Sequence, residues 1–148
     1  MLIVSLLAGG GGNDIWGWYD EVNAREYAIL GMTTGTAFVD VTNPDSPASI
    51  GVLPTQTVAS VWRDVKVYQD HAYIVADNAG AHGMQVFDLR RLRTAASPQT
   101  FAADFIYHQI GKTHNIAINE MSGFAYLVGA DTCFSVNESE VELVDVTD

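Results

Sequence analysis

Hydrophobic and polar residues alternate along short runs of this chain, and the runs recur. Between Trp62 and Leu89, Val65 and Val67 alternate with Lys66 and Tyr68, the period of a strand with one buried face. Tyr73-Ile74-Val75-Ala76 is apolar on both faces, which predicts a strand inside a sheet rather than at its edge. Gln69-Asp70 between these runs is short enough for a tight hairpin. After the loop Asp77 to Gly83, a third run from Met84 to Leu89 completes the unit.

The same order is met twice more. Asn13 to Trp18, Glu26 to Gly31 and Gly35 to Thr42 form one copy; Thr113 to Ile118, Phe124 to Gly129 and Val141 to Thr147 form another. Matched points recur at similar distances: Asp14 and Asp64 lie 50 residues apart, Asp64 and Asn115 51, Asp40 and Asp88 48, Asp88 and Asp145 57. A period of about 50 residues with several strands per copy is the mark of a propeller blade or a related β array. The expectation is an all-β chain: an incomplete β-propeller of about three four-stranded antiparallel blades, over residues 13–54, 62–107 and 113–148. Residues 1–12 read as an N-terminal remnant or linker.

Turn chemistry fills in the boundaries. Asp20 to Arg25 is the first hairpin loop, and Asn43-Pro44-Asp45-Ser46-Pro47 is a strong turn ahead of an outer strand, Ala48 to Leu53. Arg90 to Pro98 is a loop or one helical turn, and Thr100 to Tyr107 is the matching outer strand of the second copy. Helical periodicity is absent. Leu2 to Ala8 followed by Gly9 to Gly12 lacks the basic flank of a signal peptide, and the preferred reading is the last strand of something upstream, ended by a glycine linker. Three blades fall short of the four to eight that close a ring, which predicts a fragment, an assembly of copies or an open array.

Composition narrows the function classes. Of 148 residues 48% are hydrophobic and 17% charged, so the chain folds. A net charge of −11 disfavours nucleic acid or an anionic membrane surface as a partner, and Arg90, Arg91 and Arg93 are too few to reverse that. No run reaches the length of a membrane span. Cys133 stands alone, without an internal disulfide partner.

Candidate chemistry gathers at the start of each copy. Asn13-Asp14, Arg63-Asp64 and His114-Asn115 hold matching positions, which in a propeller is the entrance to the innermost strand. Asp14, Arg63, Asp64, His114 and Asn115 would then face one polar mouth able to take a ligand or cation. The plainer reading, which takes precedence, is that these side chains bond turn amides or the neighbouring blade. His82, in a glycine-flanked loop, is a candidate ligand or general base, against the commoner outcome of a histidine packed on an aromatic ring. His71 and His108 read as surface or packing residues, and Trp16, Trp18 and Trp62 as core. Asp77, Asn78 and Gly80 share letters with a calcium loop but lack its spacing. The acidic run Asp131, Glu138, Glu140 and Glu142 reads as a solvated edge. Calcium is thus the one cofactor left open, and no other is indicated. Ser60 and Cys133 have no nucleophile motif around them, and Asn137-Glu138-Ser139 fits a glycosylation acceptor.

Taken together, Asn13 to Trp18, Gly35 to Thr42, Trp62 to Tyr68, Asp77 to Leu89 and His114-Asn115-Ile116 resemble the choice-of-anchor B family of LVIVD-repeat proteins over nearly the whole chain. The resemblance implies a β-propeller-like fold on secreted or surface-attached proteins, extracellular or in the cell envelope, with no established enzymatic activity or ligand. It implies no catalytic residue. This chain departs from the family pattern in its length, in having no anchor segment, and in an apparent jump after Cys133, where Phe134 to Glu138 resembles a later copy. The functional expectation is a non-catalytic β-repeat module that binds a protein or glycan at the cell surface. The alternative is a propeller-type hydrolase or lyase with a polar or metal site at the channel mouth.

Overall fold

The computed structural model describes residues 10–95, 98–131 and 140–147. They form three sheets built mainly of antiparallel strands. The first runs β1 (Gly12–Asp20), β2 (Arg25–Met32), β3 (Gly35–Asp40) and β4 (Ala48–Pro54). The second begins with β5 (Arg63–Tyr68), β6 (His71–Ala76) and β7 (Met84–Asp88); a 3-10 helix, Leu89–Thr94, follows β7. Two short strands come next, β8 (Gln99–Thr100) and β9 (Phe105–Tyr107), and only β9 joins the second sheet. The third comprises β10 (Asn115–Asn119), β11 (Phe124–Ala130) and β12 (Glu140–Asp145). The sheets do not close on themselves.

The strand count differs from the expected four per sheet: the sheets hold five, four and three strands. The run Thr100 to Tyr107 is not one strand. Its first part, β8, crosses to the first sheet and pairs parallel with β4, Gly51 opposite Gln99 and Val52 opposite Thr100. Its second part, β9, pairs with β7. The crossing is anchored by Phe101, whose amide donates to the Val52 carbonyl at 2.8 Å and whose ring is buried against Phe38 and Phe87. An apolar contact across sheets thus overrides continuation along one edge.

Local chemistry accounts for the strand ends. Gln69 and Asp70 both adopt left-handed backbone, φ 45° and 61°, the geometry of a two-residue hairpin that follows the strand twist. Asp40, Asp88 and Asp145 close β3, β7 and β12 alike: each carboxylate accepts the amide two residues on, from Thr42, Arg90 and Thr147. The residue between, Val41, Leu89 or Val146, donates its own amide back to the preceding hairpin.

Alternation divides the buried side chains among three cores, one of them Ala28, Leu30, Met32, Ala37 and Val39 of the first sheet. Tyr27, Ile29 and Phe38 face the second sheet and meet Val65, Ile74, Phe87 and Leu92. Tyr73, Val75 and Met84, on the other face of the second sheet, meet Ile116, Leu127 and Val144 of the third. The middle sheet is therefore packed on both faces, and Tyr73–Ala76 lies in β6, inside that sheet between β5 and β7, as its two-sided apolar run predicts. Phe38 and Phe87 stack with centroids 4.5 Å apart at the heart of the first junction. The first strands lie side by side, with β5 against both β1 and β10. Residues 1–9 and the run around Cys133, with its glycosylation triplet and the apparent jump, lie outside the described residues.

Candidate functional site

Register puts three polar residues in one relation to their sheets. Asp14 pairs opposite Gly31, Asp64 opposite Val75 and Asn115 opposite Val128. The following residues, Val65 and Ile116, turn their amides away from their own hairpin, and a carboxylate of the preceding sheet receives each. Asp14 Oδ2 accepts the Val65 amide at 2.8 Å, and Asp64 Oδ2 accepts the Ile116 amide at 2.8 Å. Asn13 Oδ1 accepts the Arg63 amide at 2.8 Å, and Asn115 Nδ2 donates to Asp64 Oδ2 at 3.1 Å. These residues stitch neighbouring first strands together, the plainer of the two sequence readings.

The stitches also wall a shallow pocket of about 220 Å³, lined by Asn13, Asp14, Trp62, Arg63, Asp64, His114 and Asn115. Lys66 Nζ donates to Asp64 and lies 4.6 Å from the centroid of the Trp16 ring. The two carboxyls titrate as a pair. Burial raises Asp14, and its hydrogen bond to Asp64 raises it further, so Asp14 is the partner that holds a proton longest. Burial acts upward on Asp64 too, but Lys66, the Ile116 amide and Asp14 outweigh it and hold Asp64 below the usual carboxylate range. Among the described residues no group of three His, Cys, Asp or Glu is placed to hold a metal ion. Asp131, from the acidic run, instead accepts the Lys112 amide at 2.6 Å.

His114 reaches the pocket rim but is tied down. Its Nδ1 lies 2.8 Å from Asp77 Oδ2, and its ring sits 6.4 Å from that of Trp62. Partial burial pushes the Asp77 carboxyl up, yet the bonds from His114 and the Asn78 amide more than offset this and hold it low. Trp62 and Trp16 are half-exposed, so of the three tryptophans read as core only Trp18 is buried, its Nε1 donating to Asp70. The reason is position: Trp18 alone projects between two sheets, among Tyr27 and Val65.

His82 does not join the pocket, nor is it packed on an aromatic ring. It is fully buried, and its Nε2 lies 3.1 Å from Nη1 of Arg63, itself 2% exposed. A guanidinium only donates, so Nε2 accepts and the Nδ1 hydrogen goes to the Gly83 carbonyl at 2.9 Å. Arg63 further donates to the Met32 carbonyl at 3.0 Å and to Thr55 Oγ1 at 2.9 Å. Its stem packs on Gly31, where a Cβ would stand 3.4 Å from the Arg63 Cβ. Burial lowers Arg63 to about 10, so it stays charged at neutral pH. Burial, with the Arg63 charge added, lowers His82 to about 4.

Sequence reasoning thus named the polar residues of the pocket, weighed Asp77 only as part of a calcium-loop pattern, read Trp62 as core and missed Lys66. Trp62 carried a usable signal, as it directly precedes Arg63-Asp64; Asp77 carried none, because its bond to His114 spans 37 residues. Ser60 is buried and structural: its hydroxyl donates to the Asp77 carbonyl and accepts the Trp62 amide. A larger cavity of about 310 Å³ lies between the second and third sheets, lined in part by Tyr73, Met84, Tyr107 and Val146. No helix of the described residues is long and apolar enough to cross a membrane. Comparison with protein-family models, with curated proteins and with solved structures finds no match.

Proposed function

We propose that this chain is a non-catalytic binding or scaffold module of β-propeller type, in which residues 13–148 supply successive blades and the first strands face a common axis. The observation that carries this reading is the pair of stitches, Asp14 to the Val65 amide and Asp64 to the Ile116 amide. They bind each first strand to the next, and they commit Oδ2 of both carboxylates to backbone amides, a structural use of these side chains. The resemblance to choice-of-anchor B proteins supports an extracellular or envelope location and a protein or glycan partner. On this reading the partner meets the pocket rim, where Trp62 offers an aromatic face beside His114 and Asn115.

The test is a glycan array and a cell-surface protein panel probed with the purified chain. Saturable binding that falls about tenfold or more in Trp62→Ala, at unchanged circular dichroism, is the expected result. Turnover of an ester or glycoside substrate, lost in Asp14→Asn or His114→Ala without loss of fold, would replace this reading with the hydrolase one.

A further inference from the structure

We infer that Arg63 and His82 form an acid-sensitive latch, which holds the loop Asp77 to Gly83 against the first and second sheets at neutral pH and releases it in mild acid. The geometry is that of a buried cation with neutral acceptors. Arg63 donates to a carbonyl, a hydroxyl and an imidazole, and the ion pairs among the described residues include none to Arg63. The imidazole can serve only while Nε2 is unprotonated. A proton there would set two cations 3.1 Å apart in the interior and abolish the bond.

Among the described residues, no carboxylate is bonded to the imidazole. The first sheet and the residue after it give Arg63 two neutral acceptors, Met32 O and Thr55 Oγ1, while Asp14 of β1, which also lies against Gly31, accepts the Val65 amide. The segment that closes over Gly83, through the Gly83 amide to the Gly111 carbonyl, carries Lys112, another cation. The carboxylates of the neighbouring elements are engaged elsewhere: Asp77, after β6, by His114, and Asp131, after β11, by the Lys112 amide. Gly83 sits close against β9 in the latched form. Its φ is +73°, and a Cβ there would lie 2.6 Å from the Tyr107 carbonyl oxygen, so the loop is pressed against β9 at this point.

The sign follows from the depressed histidine. A chain with the loop released takes up a proton near pH 6.5, while the latched form resists until about 4. Latching is therefore fully favoured above about 6.5, weakens as pH falls through this window, and levels off below 4. The opening equilibrium rises by up to about tenfold per pH unit across it.

The deciding experiment is imidazole NMR on the wild-type protein, with His71, His108 and His114 as internal references. His82 is expected to remain the neutral Nδ1–H tautomer to about pH 4. Hydrogen exchange read alongside, corrected for intrinsic rates, should show loop amides from Ala79 to Gly83 losing at least tenfold protection between pH 6.5 and 4.5. In His82→Gln, whose amide oxygen accepts from Arg63 without titrating, that loss should be absent. In Arg63→Met, His82 should titrate at higher pH than in wild type. A His82 that titrates near 6.5, or loop protection that is constant over this range, overturns the latch. Should neither variant fold, the wild-type titration and exchange decide alone.

Discussion

Between the first and second sheets Asp14 receives the Val65 amide, and between the second and third Asp64 receives the Ile116 amide, at the same 2.8 Å. Around that shared stitch the two junctions are built differently. The first is aromatic, with Phe38 stacked on Phe87 and Phe101 edge-on to both, and it encloses the Arg63–His82 pair. The second is mainly aliphatic, with Val75, Ile116, Leu127 and Val144 at its centre and Tyr73 at its margin. The difference teaches that the stitch sets how one sheet meets the next, while the side chains filling the gap set how the junction responds to its surroundings. Hydrocarbon packing is itself indifferent to pH, and the titratable groups of the second junction, Asp64, Asp77 and His114, stitch its first strands; in the first junction a cation bonded to an imidazole is enclosed in the interior.

Truncating each core gives the largest effects and compares the two directly. Phe38→Ala should cost about 3–5 kcal/mol and Leu127→Ala about 2–5 kcal/mol in urea denaturation, the phenylalanine at the upper end because two ring contacts go with it. Equal losses would mean that the ring stack adds nothing beyond buried area. Next comes Arg63→Met, expected to cost about 3 kcal/mol at pH 7, since the Met32 carbonyl, Thr55 and His82 lose their donor together. The same variant should narrow the gap between its stability and that of wild type as pH falls from 6.5 to 4, because only wild type carries the full cation-beside-imidazole penalty.

The stitches themselves can be ranked by the proton they hold. Asp64→Asn removes a carboxylate that serves Lys66, Asn115 and the Ile116 amide, and should cost about 2 kcal/mol. Asp14→Asn should cost under about 1 kcal/mol, because burial and Asp64 already disfavour the Asp14 charge and an amide oxygen can still accept the Val65 amide. The reverse order in thermal melts would contradict the assignment of that proton to Asp14. Smallest is Trp62→Ala, within about 0.5 kcal/mol for a half-exposed ring. If its melting temperature falls as far as that of Asp64→Asn, Trp62 belongs to the fold and not to a binding face.

Much of the fold was legible in the chain. Period-2 runs gave the strands, and Gln69-Asp70 gave the tight hairpin because two residues between alternating runs leave few other solutions. The spacing of Asp14, Asp64 and Asn115, 50 and 51 residues, pointed to their matching placement even though their strands, 9, 6 and 5 residues long, and the hairpin turns differ in length. The path of Thr100 to Tyr107 was not legible. Its crossing to the first sheet depends on a cavity that Phe101 fills, and that cavity exists only after Phe38 and Phe87 have met.

For the candidate site, residue types and order along the chain marked which side chains gather at the first strands, because a strand start is a local feature. Their roles were decided by packing. Adjacent in sequence, Arg63 turns into the interior and Asp64 toward the next strand, as a strand sends neighbouring side chains to opposite sides. Whether His82 would meet a ring, a ligand or a cation depended on which group lay under its loop. Sequence determined the strands and the places where amides and carboxylates would face one another; tertiary structure alone decided that a buried guanidinium has an imidazole for its partner, because the two come within bonding distance only when the loop closes over β5.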